Sequence, residues 1–484
     1  MTYNAAGYAP AKDRVQMSDL VVKGGTLVTA ADTFVADVAI AGGRIVAIGS
    51  DLPAPDGGAV IQAAGRLVFP GFVDPHVHLQ MPIGDITSSD DFFSGSAAAA
   101  CGGTTTIIDF VEAEPRGSLI EATRRRRAEA DPQVCIDYSL HLTGNSAEPA
   151  FLHEIGHLAR IGYTSLKLYT TYPGLMVEDR ALLELLQLAA RSGLLPIVHA
   201  ENDAIIACRK SQLLAAGQIA PRYHPVSRPP AAEVEAVGRV LALAETAGAP
   251  VYFVHVSCAG ALEAIRRARR AGQEVYTEVT PHHLLLDESV YAGEGFAGAR
   301  FCCSPPLRAQ PHLAALWAAL AAGEIDTVAT DHCPWDFATH RQRGRTDFTK
   351  IPNGLAGVET RVPLLYSEGV GAGRLRLNRF VQACATAPAQ LFGLYPQKGS
   401  IIVGGDADLV IFDPARQVTL SASTLHQRTD DCPYEGWAVR GYPEIVLARG
   451  QVVAREGHFV GRAGAGRFVP RRPFIPRGHA NYDQ

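Results

Sequence analysis

Phe69-Pro70-Gly71-Phe72-Val73-Asp74-Pro75-His76-Val77-His78 is an apolar run that closes on two histidines spaced two apart. On a strand, that spacing puts both imidazoles on the same side. Imidazole nitrogen suits zinc and similar metals, so His76 and His78 at a strand end can supply half of a metal site. The arrangement recurs downstream. Pro196-Ile197-Val198-His199, Val251-Tyr252-Phe253-Val254-His255 and Thr327-Val328-Ala329-Thr330-Asp331 each end an apolar run on a ligand-type residue. Strand candidates therefore stop at His78, Asp109, Lys167, His199, His255, Glu278 and Asp331. Between them, residues 119–130, 178–191, 232–247, 261–271 and 312–322 carry apolar side chains at i, i+3 and i+4, the period of amphipathic helices. Repeated strand-then-helix predicts a (β/α)₈ barrel over residues 71–394, an α/β fold of the TIM type.

The strand ends of such a barrel converge on one face, where active sites are assembled. Four histidines and an aspartate there, scattered along the chain and without thiolates, predict a hydrolytic metal centre rather than a structural one. Tyr163-Thr164-Ser165-Leu166-Lys167-Leu168-Tyr169 adds an oddity, a lysine on the strand alternation. An ammonium aimed into the barrel mouth would be repelled by a cationic metal. Lys167 either turns away as a solvated charge or is chemically converted to an anion.

Outside the barrel the texture changes. Residues 20–22, 26–28, 37–40 and 44–48 are short β-rich runs broken by glycine pairs, and 409–412, 418–420, 444–447 and 451–453 repeat the pattern. They predict one β-sandwich built from both chain ends, residues 18–70 and 395–468. Residues 1–17 read as a polar N-terminal tail. Residues 469–484, with Pro470-Arg471-Arg472-Pro473, read as an extended C-terminal tail, either frayed or a subunit contact.

Composition narrows the function classes. Of 484 residues, 47% are hydrophobic and 19% charged, which excludes a mainly disordered or fibrous chain. Lys and Arg number 44 against 49 Asp and Glu, a net charge of −5 that gives no field for a phosphate backbone, so nucleic acid is not an expected partner. Nine cysteines, an odd number with no Cys-x-x-Cys, predict free thiols. No apolar run approaches the ~18 residues of a membrane span, and no signal peptide opens the chain, so a cytoplasmic protein is expected.

The series Asp74-Pro75-His76-Val77-His78, Lys167, His199, His255 and Asp331 resembles the cyclic amidohydrolases, in particular the dihydropyrimidinase/D-hydantoinase group. The resemblance extends over almost the whole chain. It is sharpened by Met81-Pro82-Ile83-Gly84, Asp91-Phe92-Phe93-Ser94-Gly95, Gly102-Gly103-Thr104-Thr105, Cys303-Ser304-Pro305-Pro306-Leu307-Arg308 and Asp347-Phe348-Thr349-Lys350-Ile351-Pro352-Asn353-Gly354. It implies a binuclear centre of two divalent metal ions, zinc by expectation. Lys167, N6-carboxylated by carbon dioxide, would bridge them, with His76, His78 and Asp331 on one and His199 and His255 on the other. It also implies a cyclic ureide substrate, Asp331 as the proton carrier, Tyr172 as an oxyanion donor, and the backbone of Ser304 and Asn353 against the ureide edge. Relatives are tetramers or dimers, so a homo-oligomer is expected. An allantoinase-like ureide hydrolase and a metal-free scaffold homologue are the alternatives. Met81, Ile83, Tyr169 and Met176 match positions that in the family contact the ring substituent, and the apolar Met81, Ile83 and Met176 predict tolerance of bulky apolar 5-substituents.

Three motifs compete with this reading. His153-Glu154-Ile155-Gly156-His157 matches the zincin pattern, but falls on a helix before the Lys167 strand, away from the strand ends. Arg124-Arg125-Arg126-Arg127, flanked by Glu121 and Glu129, is expected to be a solvated helix face. His282 and His283 follow Pro281 near a strand end with no assigned role.

Overall fold

The computed structural model describes residues 18–54, 56–114 and 117–476, so the 1–17 tail and residues 477–484 lie outside the described residues. Eight parallel strands form one sheet in chain order: Phe72–Asp74, Thr104–Val111, Asp137–Thr143, Ser165–Tyr169, Leu195–His199, Val251–Phe253, Val275–Val279 and Thr327–Val328. The first and last strands meet beyond their ends, where Val77 bridges His332 and the His78 N–H donates to the His332 carbonyl at 2.8 Å. At the other end of that seam, buried Arg361 donates to the Val73 and Val328 carbonyls at 2.9 and 2.8 Å. The sheet is thereby closed into a (β/α)₈ barrel.

The helices follow the periodicity read from the chain: Leu119–Ala130, Asp179–Ser192, Pro230–Ala247, Ala259–Arg270 and Gln310–Ala322. Each buries one apolar stripe on the outside of the strands, as Leu182, Leu185, Leu186 and Ala189 do in the second. Val73, Ile108, Ile197, Tyr252 and Tyr276 belong to a separate cluster that fills the barrel interior.

Both chain ends enter one nine-stranded sheet, joined where Leu67–Pro70 pairs antiparallel with the first residues of Leu409–Thr419. Its Arg44–Gly49 edge folds back onto the segment that leads into Leu409–Thr419, with Ile45 and Gly43 making backbone hydrogen bonds with residues 404–407. The sheet so curls around a core shared by both ends, including Val22, Val38, Ile45, Leu409 and Leu447. Pro70-Gly71 is the crossing from this sandwich to the barrel. A Cβ on Gly71 would stand 2.0 Å from Thr105 Oγ1 and 2.8 Å from the Asp408 side chain, so no larger residue fits the passage.

Two expectations need correction. The strand Asp137–Thr143 adds to the strands expected from the sequence, and it carries no apolar run because its inward positions, Asp137, Ser139, His141 and Thr143, are all polar. The described part of the C-terminal tail is extended but not frayed. Val469 and Arg471 donate to the Tyr138 and Gly162 carbonyls at 2.8 and 2.9 Å, and Phe474 to that of Gly193 at 2.8 Å. Val469 and Phe474 join the barrel-interior cluster, so this segment plugs the end of the barrel opposite the strand termini. Its prolines cost nothing there, because the non-proline residues between and beside them supply the donors.

Candidate metal centre

His76 and His78 lie just beyond Phe72–Asp74, in extended backbone, with both imidazoles at the mouth. Nε2 of each stands 3.1 Å from Asp331 Oδ1. Glu278 Oε1 holds His76 Nδ1 at 2.7 Å, which fixes the ring and aims Nε2 inward. His78 stacks on Phe110 at 4.6 Å between ring centres. Across the mouth, His199 Nε2 meets Glu201 Oε2 at 2.8 Å, which turns Nδ1 toward His255 Nε2, 3.0 Å away. Glu201 is itself tied to buried Arg228.

Lys167 lies between these groups, its Nζ 5.1 Å from the ring centres of Phe110 and Tyr169 and with no hydrogen bond among the described residues. Burial lowers the amine to about 8, against the pull of Asp331, Glu278 and Glu112. Burial opposes charge on His76 too, yet Glu278 and Asp331 outweigh it and hold the imidazole at about 9. Desolvation depresses His199 and His255, keeping both neutral as metal ligation requires. Asp331 would be raised by its burial, but His76 and His78 hold it well below the usual carboxylate range.

The donor set fits divalent cations. His76 Nε2 is buried without a hydrogen-bond partner among the described residues, a cost that a metal would remove. Two imidazole nitrogens 3.0 Å apart need a shared proton or a cation; bound to one tetrahedral zinc they would stand about 3.3 Å apart. His76, His78 and Asp331 also bring three ligand atoms within 4.8 Å of one another.

His255, Asp331 and Tyr172 have φ of 37°, 51° and 77°, in the left-handed region that costs non-glycine residues of order 1–3 kcal/mol each. Three such residues around one mouth mark a backbone held for function rather than for stability. Tyr172 packs on His199 at 5.1 Å between ring centres, and burial pushes its phenol up to about 12. Asn353 Nδ2 donates to Ser304 Oγ at 2.9 Å. The Ser304 N–H and C=O have no backbone partner among the described residues, whereas the Asn353 carbonyl already accepts the Trp335 indole N–H at 3.0 Å and keeps one lone pair.

Glu278, Glu201, Arg228 and the pair Asp90–His332 were missed as site residues. Glu201 had a signal, since it stands two positions after His199 at a strand end. Asp90 and Arg228 sit on loops whose approach no local pattern reveals.

The competing motifs resolve structurally. His153 and His157 are exposed on the helix Pro149–Arg160, and Glu154 turns away to accept the Leu119 and Ile120 N–H groups at 2.6 and 3.1 Å. That glutamate caps the neighbouring helix. Arg124 and Arg125 are exposed as expected, but Arg126 is not solvated. It reaches inward to Asp109 at 2.7 Å and lies over Phe92 at 4.4 Å, because buried Asp109 needs a counter-ion. His283 is spent on Thr280 and the Pro305 carbonyl, at 2.8 and 3.0 Å.

The sequence model of the amidohydrolase family matches residues 67–453. A D-hydantoinase from Geobacillus stearothermophilus is 44% identical over 94% of this chain and 97% of its own. A D-phenylhydantoinase from Escherichia coli O1:K1 is 42% identical over 94% and 99%. The crystal structure of dihydropyrimidinase from Brevibacillus agri superposes with a TM-score of 0.93 at 46% identity, covering 94% of this chain and 99% of that one.

Proposed function

The chain belongs to the amidohydrolase family, and from that premise we propose that it opens the ring amide of dihydropyrimidines and 5-substituted hydantoins to give N-carbamoyl amino acids. The observation that carries this reading is the convergence of His76, His78 and Asp331 on one side of Lys167 and of His199 and His255 on the other. His76, His78 and Asp331 would hold one divalent cation, His199 and His255 a second, with zinc the metal that best suits this imidazole-rich set. Lys167, carboxylated on Nζ, would touch both, which removes the ammonium charge that the site would repel. When bound, the cations polarise a carbonyl and lower the pKa of water, which lets hydrolysis run at neutral pH.

The chain's own groups do the rest. Ser304 offers an unused backbone N–H and C=O to the alternating donors and acceptors of the ureide edge, with the Asn353 carbonyl beside it. Tyr172, whose phenol stays protonated at neutral pH, donates to the oxygen on which charge develops. Asp331 stays ionised, and its Oδ2 has no hydrogen bond among the described residues. It takes the proton released by the attacking water and passes it to the leaving ring nitrogen. One C–N bond breaks and one C–O bond forms, with water supplying both the oxygen and the proton. A homo-oligomer and a cytoplasmic location accord with this reading; no helix among the described residues is long and apolar enough to cross a membrane.

The test is ring opening of dihydrouracil, hydantoin, 5-phenylhydantoin and allantoin by the purified protein. Opening of the first three supports the assignment. Opening of allantoin alone would move it to the allantoinase-like alternative.

A further inference from the structure

A cavity of about 340 Å³ opens beside the metal centre, with His78 and Phe110 at its inner end and Gln80, Met81, Glu112 and Arg126 on its walls. Glu112 is the first residue beyond the strand Thr104–Val111, so its carboxylate stands at the barrel mouth. Only one of its oxygens finds a hydrogen-bond donor among the described residues, the Tyr169 hydroxyl at 3.5 Å, the limit of a hydrogen bond. The other has no partner among the described residues. Of the two guanidinium groups in the lining, that of Arg126 is already bound to Asp109, Glu129 and the carbonyls of Leu79 and Gln80. Glu112 is therefore a carboxylate in a confined space with no ion pair among the described residues, and its pull on Lys167 ends once that amine is carboxylated. The lining as a whole carries four carboxylates against two guanidinium groups. Of the residues expected to give an apolar substituent site, Met81 lines this cavity, while Ile83 and Met176 are exposed.

The chemistry of the ring says what would enter. In a hydantoin the urea carbonyl lies between the two ring nitrogens, and the carbon that bears the substituent is on the opposite edge, next to the attacked carbonyl. With the urea edge against Ser304 and Asn353, the substituent leaves the ring on the side away from them, and the cavity, which contains neither residue in its lining but shares His78 with the metal centre, is open to receive it. Resting on the ring-hydrolase reading above, we propose that the cavity is a substituent subsite in which Glu112 receives a cation, so that the enzyme prefers cyclic ureides whose ring carbon carries an aminoalkyl chain. A carboxylate–ammonium hydrogen bond in a confined site is about twice as strong as a neutral one, and Met81 and Phe110 supply apolar contact for the methylenes.

The experiment compares kcat/KM for 5-(3-aminopropyl)hydantoin and 5-butylhydantoin, which differ by an ammonium in place of a methyl group. The wild-type protein, Glu112→Gln and Glu112→Leu are each given both substrates. The ratio is read within one preparation, so a poorly folded variant lowers both rates and leaves the ratio intact. The expected wild-type ratio favours the amine by about tenfold or more; it falls about tenfold in Glu112→Gln and reverses in Glu112→Leu. A ratio unchanged across the three proteins, or a wild-type preference for butyl, overturns the proposal. Failure of the wild-type protein to open either ring overturns the ring-hydrolase reading itself, and the subsite with it.

Discussion

His332 Nε2 lies 2.9 Å from Asp90 Oδ2, while Nδ1 of the same ring accepts the Gly357 N–H at 3.0 Å. An imidazole that accepts at Nδ1 carries its proton on Nε2, so the tautomer is fixed and Asp90 is the acceptor. The backbone of this residue matters as much as its ring. It follows Asp331, whose φ is 51°, and its carbonyl receives the His78 N–H. Asp90 is held in turn by the Ser94 hydroxyl and by the Arg428 N–H from the C-terminal half of the sandwich. His332→Ala is expected to lower metal affinity or turnover by about 10- to 100-fold, the usual cost of removing a group that orients a ligand. Metal content after gel filtration and kcat on reloaded protein together check this.

Lys167→Ala should abolish turnover and lose at least one of two metals, measured by elemental analysis on the same sample. Full activity would end the carbamate assignment. The amine has a pH signature as well. Carbon dioxide reacts with the neutral form, and burial places the Lys167 amine at about 8. In metal-free protein at fixed dissolved CO₂, reactivation by zinc should climb with pH up to about 8 and then level off. An unperturbed lysine, near 10.4, would still be climbing at pH 9.

His153→Ala and His157→Ala should leave metal content and activity unchanged. Glu154→Ala should instead cost stability, about 1 kcal/mol, because it uncaps the helix Leu119–Ala130. Loss of metal in the two histidine variants would place the zinc on the helix and contradict the barrel site.

Lys398 stands 2.6, 2.9 and 2.8 Å from Asp137, Asp406 and Asp408, all buried. Asp137 opens a barrel strand and the other two lead into the sandwich strand Leu409–Thr419, so one ammonium ties the two parts together. Lys398→Met is expected to destabilise the protein by roughly 3–5 kcal/mol, since three carboxylates lose their buried partner. The midpoint of denaturant unfolding measures it.

The histidines at strand ends were legible because a barrel needs apolar runs, and a polar residue that closes one stands out. His76, His78, His199, His255 and Asp331 all announced themselves this way. The strand Asp137–Thr143 did not, since its inward face is polar: His141 spends Nε2 on the Pro75 carbonyl at 2.8 Å instead of packing as an apolar residue. Glu278 was visible as a strand end but not as the group that orients His76, which lies 202 positions away in the chain. Arg126 looks like part of a solvated helix face in the sequence because its partner, Asp109, comes from the strand Thr104–Val111 and not from its own helix. The C-terminal segment looks loose in the sequence because a proline-rich chain has no periodicity, yet it is hydrogen-bonded to Tyr138, Gly162 and Gly193 at the far end of the barrel.

The most direct test of the account is hydantoin ring opening by the purified protein before chelation, after chelation and after zinc is restored, with metal counted in each sample. Two metals per chain are expected, with loss of turnover when they are removed and its return when they are replaced. Undiminished turnover by metal-free protein, or no ring opening with both metals bound, would contradict it.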